Sequence, residues 1–87
     1  MTVKAVWKFV LTDTPIDMPK GAEVLRLASQ HGTPCLWALV DPDAPKEARK
    51  FVTYATGENI PTTDDKRYVG TFVVNVLNYV YHVFEVV

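Results

Sequence analysis

The stretch that decides the fold is HGTPCLWALVDPDAP, residues 31–45. Its middle part, residues 35–40 (CLWALV), is apolar at every position, and a proline-containing turn lies on each side. Because successive side chains of a β-strand point to opposite faces, such a strand must be covered on both faces. A chain of 87 residues has little material with which to cover it. The strand is therefore predicted to be either the centre of a tightly closed small barrel or part of a surface that meets another subunit.

The size and charge of the chain narrow the classes of function. A length of 87 residues predicts that residues 1–87 form a single domain. The formal net charge of −1 provides no basic field for a phosphate backbone, so a long nucleic acid is not expected as the main partner. The sequence has no N-terminal apolar segment typical of a signal peptide and no stretch long enough to span a bilayer, so no membrane partner is expected.

Cys35 is the single cysteine of the chain and lies in its most apolar segment. Since it has no partner for an internal disulfide, we interpret it as a buried structural thiol rather than a nucleophile. An unpaired thiol is typical of a reducing compartment, which predicts a cytoplasmic protein.

Most of the remaining chain alternates in side-chain character with a period of two, which is typical of β-strands. The segments with strand patterns are residues 3–11, 16–18, 34–40, 49–56, 68–77 and 79–87. Residues 22–30 also contain good helix formers, but a strand is favoured there because both neighbours read as strands. Six or seven short strands without a convincing helix predict an all-β fold, a small antiparallel barrel or sandwich that is expected to be oligomeric.

Turn-forming residues separate these segments. Prolines and three acidic residues predict that residues 41–48 form a loop, and residues 57–67 form the longest break. Residues 19–21, Pro-Lys-Gly, are typical of a tight turn. Gly70 lies inside a strand pattern, so it is a candidate for a β-bulge or for a close approach between strands.

The last segment, residues 79–87, is a long apolar strand whose edge needs a partner. Pairing with the first strand would close a barrel, whereas pairing with the same strand of a second copy would form a dimer. Val83 is expected on an exposed side of this strand. A charge introduced there by Val83→Asp would then disrupt a protein-docking surface.

The sequence contains no recognisable catalytic or metal-binding motif. A zinc site needs several converging ligands, whereas His31, His82 and Cys35 lie on different segments. Ser29, the only serine, lies outside a nucleophile elbow, and no glycine-rich phosphate loop is present. We therefore expect a non-enzymatic protein without catalytic residues, metal or cofactor, and we interpret His82 as a hydrogen-bonded core or interface histidine.

Several cations and aromatic residues are suited to holding a small planar ligand that carries an anion. Arginine pairs bidentately with phosphate and stacks on flat rings, and backbone N–H groups at a turn such as Thr56-Gly57 attract phosphate. The alternative interpretation is that these side chains are ordinary solvated strand faces. The candidate ligand-binding residues are Trp37, Arg49, Tyr54, Thr56, Gly57, Arg67 and Tyr68.

Six segments occur in the order VWKF, MPKGAEVL, HGTPCLWALVDPDAP, ATGENIP, YVGTF and HVFE, and together they span residues 6–85. This order resembles a family of short proteins encoded mostly by phages and prophages. Residues 36–42, LWALVDP, are the most specific part of the resemblance. The resemblance implies a phage-type origin and not a particular activity.

For a protein of this origin, the leading expectation is an anti-defence sponge that sequesters a nucleotide immune signal without cleaving it. Its pocket would lie between the subunits of a homo-oligomer in the host-cell cytoplasm, and Arg49→Ala would abolish ligand binding while leaving the oligomer intact. The alternative is a protein-interaction module that inhibits a host protein or assembles in a phage complex. A nucleic-acid-binding small barrel is the least favoured class.

Overall fold

Two antiparallel sheets form the protein. The structure, a computed structural model, describes residues 3–74 and 78–87. Its seven strands are β1 (Ala5–Val10), β2 (Ile16–Pro19), β3 (Glu23–Gln30), β4 (Thr33–Val40), β5 (Lys46–Ala55), β6 (Lys66–Val74) and β7 (Tyr79–Val86). One sheet has the strand order β1-β4-β3 and the other the order β2-β5-β7-β6. The all-β prediction is confirmed, and of the two architectures it named the fold is the sandwich.

The decisive stretch forms β4, the central strand of the three-stranded sheet. Leu36, Ala38 and Val40 are buried in the core between the sheets. Trp37 and Leu39 alternate with them, so they lie on the outer face of the same sheet and are half-buried. Cys35, also on that outer face, is only 2% exposed, which confirms the buried thiol.

Residues 23–30 form a strand, as favoured from their neighbours. The two residues between β3 and β4, His31 and Gly32, both have positive φ angles, of 52° and 79°. Two consecutive positive φ angles are typical of a type I′ hairpin turn, whose twist matches that of antiparallel strands. The tight turn places residues 23–30 beside β4, where they form strand hydrogen bonds. This pairing outweighs their helix propensity.

The last strand is an internal strand of the four-stranded sheet. β7 pairs with β5 on one side and with β6 on the other, so the predicted alternatives of pairing with the first strand or with a second copy are wrong. Val83 is 0% exposed and belongs to the core. Its expected exposure is therefore also wrong, and Val83→Asp would test folding rather than docking.

The loop predicted for residues 41–48 is shorter than expected. β5 begins at Lys46 because β2 supplies a pairing partner, from Ile16 opposite Arg49 to Pro19 opposite Lys46. Residues 75–77, at the end of the segment predicted as 68–77, lie outside the described residues.

The core lies between the two sheets. Trp7, Phe9 and Leu11 pack against it, as the alternation in the first strand predicts. Gly70 lies at a register shift of β6, and a methyl group on it would lie 3.2 Å from Leu27 of the opposite sheet. Gly70 thus lies both at a bulge and at a close approach between the sheets.

Within residues 3–74 and 78–87, no helix is long and apolar enough to cross a membrane.

Candidate functional site

A cleft of about 350 Å³ opens where the start of β3 faces the bulged part of β6. Clefts of this size hold small ligands in many proteins. Both sheets contribute to its walls, because β3 belongs to the three-stranded sheet and β6 to the four-stranded sheet. The lining residues are Gly21, Ala22, Glu23, Val24, Arg49, Arg67, Tyr68, Val69 and Glu85.

Glu85 is the buried centre of the charged groups in this cleft. Arg49 binds it through two parallel contacts, Nε to Oε2 at 2.7 Å and Nη2 to Oε1 at 2.8 Å. Arg67 donates from Nη2 to the same Oε1 at 2.8 Å. Glu85 is only 5% exposed, and its carboxylate is thus held by two guanidinium groups. We call Arg49, Arg67 and Glu85 the charged triad.

Each of the three guanidinium nitrogens of Arg49 makes a structural contact. Besides its two contacts with Glu85, it donates from Nη1 to the carbonyl oxygen of Ala22 at 2.6 Å. Ala22 immediately precedes β3, so this bond connects the four-stranded sheet to the turn that enters the three-stranded sheet. A buried guanidinium that is bound at all three of its nitrogens is suited to positioning the carboxylate rather than to ligand contact.

Arg67 differs from Arg49 in its exposure. Its side chain is 64% exposed, compared with 11% for Arg49. Among residues 3–74 and 78–87, its hydrogen-bond partner is the Glu85 carboxylate alone. The guanidinium is therefore held at one nitrogen and presents its other donors to the cleft and solvent.

The Arg49–Glu85 pair of the triad stays charged at neutral pH. The hydrogen bonds from Arg49 lower the pKa of Glu85, and burial opposes this effect less strongly. The hydrogen bond to Glu85 in turn raises the pKa of Arg49. Two cations and one anion leave the triad with an excess positive charge, while the exposed Glu23 lies on the wall of the same cleft.

Tyr68 connects the cleft to the outer surface of the four-stranded sheet. It lines the cleft and is 57% exposed. Its ring lies 5.6 Å from that of Phe84, which in turn lies 6.1 Å from that of Tyr54, both in edge-to-face geometry. We call the surface formed by Val52, Tyr54, Tyr68, His82 and Phe84 the aromatic face.

A chain of hydrogen bonds runs along the aromatic face. His82 contacts Thr56 Oγ1 through Nε2 at 2.8 Å and Thr71 Oγ1 through Nδ1 at 3.0 Å. The hydroxyl of Tyr68 lies 2.5 Å from Thr71 Oγ1. The predicted hydrogen bonding of His82 is thus confirmed, whereas its predicted place in the core is wrong, because it lies half-buried on the outer side of the sheet.

The structure separates the candidate residues into four places. Arg49, Arg67 and Tyr68 meet at the cleft. Tyr54 and Thr56 lie with Tyr68 on the outer surface of the four-stranded sheet. The backbone N–H of Thr56 donates to the carbonyl of Val80 at 3.1 Å, so this N–H group is not available to a phosphate. Two further candidates lie apart: Gly57 is in the turn after β5, and Trp37 is on the outer face of the three-stranded sheet.

Sequence reasoning missed Glu85, the residue that organises the cleft. Its signal was available, because Glu85 is the only acidic residue in the apolar segment 79–87, and a carboxylate there needs a cationic partner once buried. The Ala22 carbonyl, which fixes Arg49, has no sequence signal, since every residue carries such an oxygen.

Residues 2–87 match the family model described as Domain of unknown function (DUF7352). The chain belongs to this family. No curated protein and no solved structure matches it. The functional conclusion is therefore drawn from the cleft, the charged triad and the aromatic face.

Proposed function

We propose that the protein binds a small anionic ligand with a planar ring, such as a nucleotide, in the cleft and releases it unchanged. The observation that carries this proposal is the exposed guanidinium of Arg67, which Glu85 holds on the wall of a cleft of about 350 Å³ next to Tyr68. An arginine offers a planar fork to phosphate or carboxylate, and a tyrosine offers a flat face to a ring.

Preorganisation supports this role for Arg67. A long, solvated arginine loses conformational freedom when it binds an anion, which weakens binding. The Glu85 contact restricts Arg67 before a ligand arrives, while leaving most of the side chain exposed. In the same arrangement Arg49 acts as a positioning residue, because its contacts with Glu85 and Ala22 fix the carboxylate that holds Arg67.

The biological role proposed for this binding is sequestration. In a phage-type protein acting in the host cytoplasm, a nucleotide signal of the host immune system would be held in the cleft without being cleaved. Sequestration needs affinity and a sufficient number of protein copies, and the proposed homo-oligomer would increase the number of sites per particle.

The test is to identify what the protein releases. The purified protein is incubated with linear, cyclic and ADP-ribose-derived nucleotides, separated from unbound material and heat-denatured, and the released compounds are identified by mass spectrometry. Release of one intact compound is the expected result. A cleaved product would overturn the non-enzymatic proposal, and release of nothing across the panel would overturn nucleotide binding.

Two arginine variants test whether the nucleotide binds in the cleft. Arg67→Ala is expected to lower retention of the bound nucleotide at least about tenfold, the loss expected for one charge-assisted contact. Arg26→Ala is the matched control, because Arg26 is an exposed arginine that pairs in register with Trp37 on the outer face of the other sheet. Equal losses in both variants would contradict the cleft as the site.

A second candidate function, a protein-interaction module, is favoured by one specific observation. The outer face of the three-stranded sheet leaves Val6, Val10 and Leu25 between 48% and 54% exposed. Lys8 and Arg26 stand opposite Trp37 from the two neighbouring strands, so the partner proposed for this face carries both apolar and acidic groups. Loss of host-protein binding in Val10→Asp, with nucleotide retention unchanged, would support this function.

A further inference from the structure

The cleft continues past the charged triad into a second cavity of about 310 Å³. The triad lines both cavities, together with Gly21 and Ala22. From there the cleft extends toward β3 and β6, whereas the second cavity extends toward the start of β5 and the end of β7. We call the second one the side cavity; the residues that line it but not the cleft are Glu47, Ala48, Val86 and Val87. The exposed guanidinium of Arg67 thus lies where two cavities meet.

Each cavity has a carboxylate on its wall. Glu23 is exposed in the cleft, and Glu47 is half-buried in the side cavity. In the described part of the chain, neither of them takes part in a salt bridge. Glu85 most strongly, and Glu47 to a smaller extent, raise the pKa of Arg49. The negative charge of Glu47 therefore acts on the middle of the site.

We infer that the ligand is a phosphodiester, whose phosphate binds at Arg67 and whose uncharged groups on the two sides of the phosphate occupy the two cavities. This inference rests on the proposed nucleotide binding and names the class of nucleotide. It favours a phosphate that is esterified on both sides, as between two nucleosides, over a nucleotide that ends in a monophosphate or a triphosphate.

The charges of the site match a single negative charge on the ligand. Among the described residues that line the two cavities, the cations are Arg49 and Arg67, and the carboxylates are those of Glu23, Glu47 and Glu85. Because all three guanidinium nitrogens of Arg49 are bound, the attraction for an anion is concentrated at Arg67. A phosphodiester has one negative charge, whereas a phosphate monoester has about 1.5–2 near pH 7. The additional charge would face a carboxylate without a further cation.

The two carboxylates are suited to the hydroxyl groups of sugars. An ionised carboxylate only accepts hydrogen bonds, and a hydroxyl group donates one. In a phosphodiester between two nucleosides, a sugar lies on each side of the phosphate, so each cavity would receive one sugar. Val24 and Val69 line the cleft, and Ala48 and Val86 line the side cavity. These residues add apolar surface for the rings of the ligand.

Pairs of compounds that differ by one charge test the preference for a diester. The 5′-monophosphates of adenosine, guanosine, cytidine and uridine are compared with their phosphate methyl esters by isothermal titration calorimetry at pH 8, where the monoester is a dianion. For the nucleoside that binds best, the methyl ester is expected to bind about fivefold more tightly, the effect of one nearby like charge in a solvated site. Equal or weaker binding of the ester would overturn the inference and leave nucleotide binding intact.

Charge-neutral variants test the origin of this preference. Glu47→Gln and Glu23→Gln keep the shape of the side chain and remove its charge, so each should reduce the preference for the ester. Asp13→Asn is the matched control, because Asp13 is an exposed carboxylate that lines neither cavity, and it should keep the preference. Circular dichroism would verify that every variant is folded. A full preference in both glutamate variants, or an equal reduction in Asp13→Asn, would overturn the role of the two cavities.

A dinucleoside monophosphate tests whether the ligand extends into both cavities. Its second nucleoside adds contacts but no charge relative to the methyl ester of the same nucleotide, so it is expected to bind at least about tenfold more tightly. Equal binding of the two compounds would overturn the extension into the side cavity. Binding of none of the compounds would overturn the proposed nucleotide binding as well, so the two failures are distinguishable.

Discussion

Arg49 and Glu85 form a bidentate ion pair between β5 and β7, with contacts of 2.7 and 2.8 Å. Arg49 extends this connection to the other sheet through its bond to the Ala22 carbonyl, and Arg67 completes it from β6. One carboxylate thus links three strands of one sheet and, through Arg49, the turn that leads into the other. The same group supports the fold and positions the exposed Arg67 in the cleft.

Arg49→Ala is expected to destabilise the protein by about 3 kcal/mol, near the lower end of the cost of breaking a buried ion pair because Arg67 still contacts Glu85. Urea unfolding at neutral pH measures this change. Arg67→Ala is the matched control and should cost less than about 1 kcal/mol, since its side chain is 64% exposed. Equal destabilisation by the two substitutions would contradict the structural role assigned to Arg49.

The stability of the protein is expected to fall in acid because of Glu85. The Arg49 hydrogen bonds lower the pKa of Glu85 in the folded protein below its ordinary value of 4.5. The unfolded chain therefore binds more protons than the folded one as the pH drops below about 4.5. The stabilisation that ionised Glu85 contributes is complete above that pH. It is lost as the pH falls through the lower pKa of Glu85 in the folded protein.

Glu85→Gln tests this pH dependence. The variant should be less stable than the wild type at neutral pH, and its free energy of unfolding should depend less on pH in the acid range. Asp64→Asn is the control, because Lys66 also lowers the pKa of Asp64, but the Asp64 carboxylate is exposed and solvent screens its contact. An unchanged acid slope in Glu85→Gln would be inconsistent with the triad as its source.

Gly70→Ala is expected to destabilise the protein by about 1–3 kcal/mol through overpacking. The new methyl group would lie 3.2 Å from both Cβ and Cδ2 of Leu27, where the two sheets approach each other. In the Leu27→Ala background the cost should be smaller but not zero, because the Cβ contact remains. Chemical denaturation of the four variants of this double-mutant cycle measures the coupling, and strictly additive effects would show that the contact with Leu27 Cδ2 contributes nothing to the cost.

The strands were predictable from the sequence, whereas their assignment to sheets was not. Alternation identifies strands because it follows local geometry, and Gly70 could be singled out because it interrupts a strand pattern. The position of β7 between β5 and β6 depends on pairings between distant residues. For the same reason the sequence did not reveal that β2 extends β5 back to Lys46.

The candidate site could be predicted only in part. Arg49, Arg67 and Tyr68 converge because their strands, β5 and β6, lie on either side of β7, the strand that contains Glu85. Trp37 lies away from the cleft, on the outer face of β4. The sequence could not show this, because β4 is apolar at successive positions and its pattern does not indicate which face points to the core. The division of roles between the two arginines follows from their exposure, 11% and 64%, which sequence spacing does not determine.

The thiol of Cys35 is expected to react only when the fold opens. Cys35 is 2% exposed on the outer face of the three-stranded sheet, and its sulfur lies 3.5 Å from the Thr33 carbonyl oxygen. A thiol reagent such as DTNB should therefore react much more slowly with the native protein than in urea. If access requires global unfolding, Arg49→Ala should accelerate labelling in proportion to its loss of stability, about 150-fold for 3 kcal/mol. Immediate labelling of the native wild-type protein would contradict this burial, and labelling that is unaffected by Arg49→Ala would show that the sheet opens locally at β4.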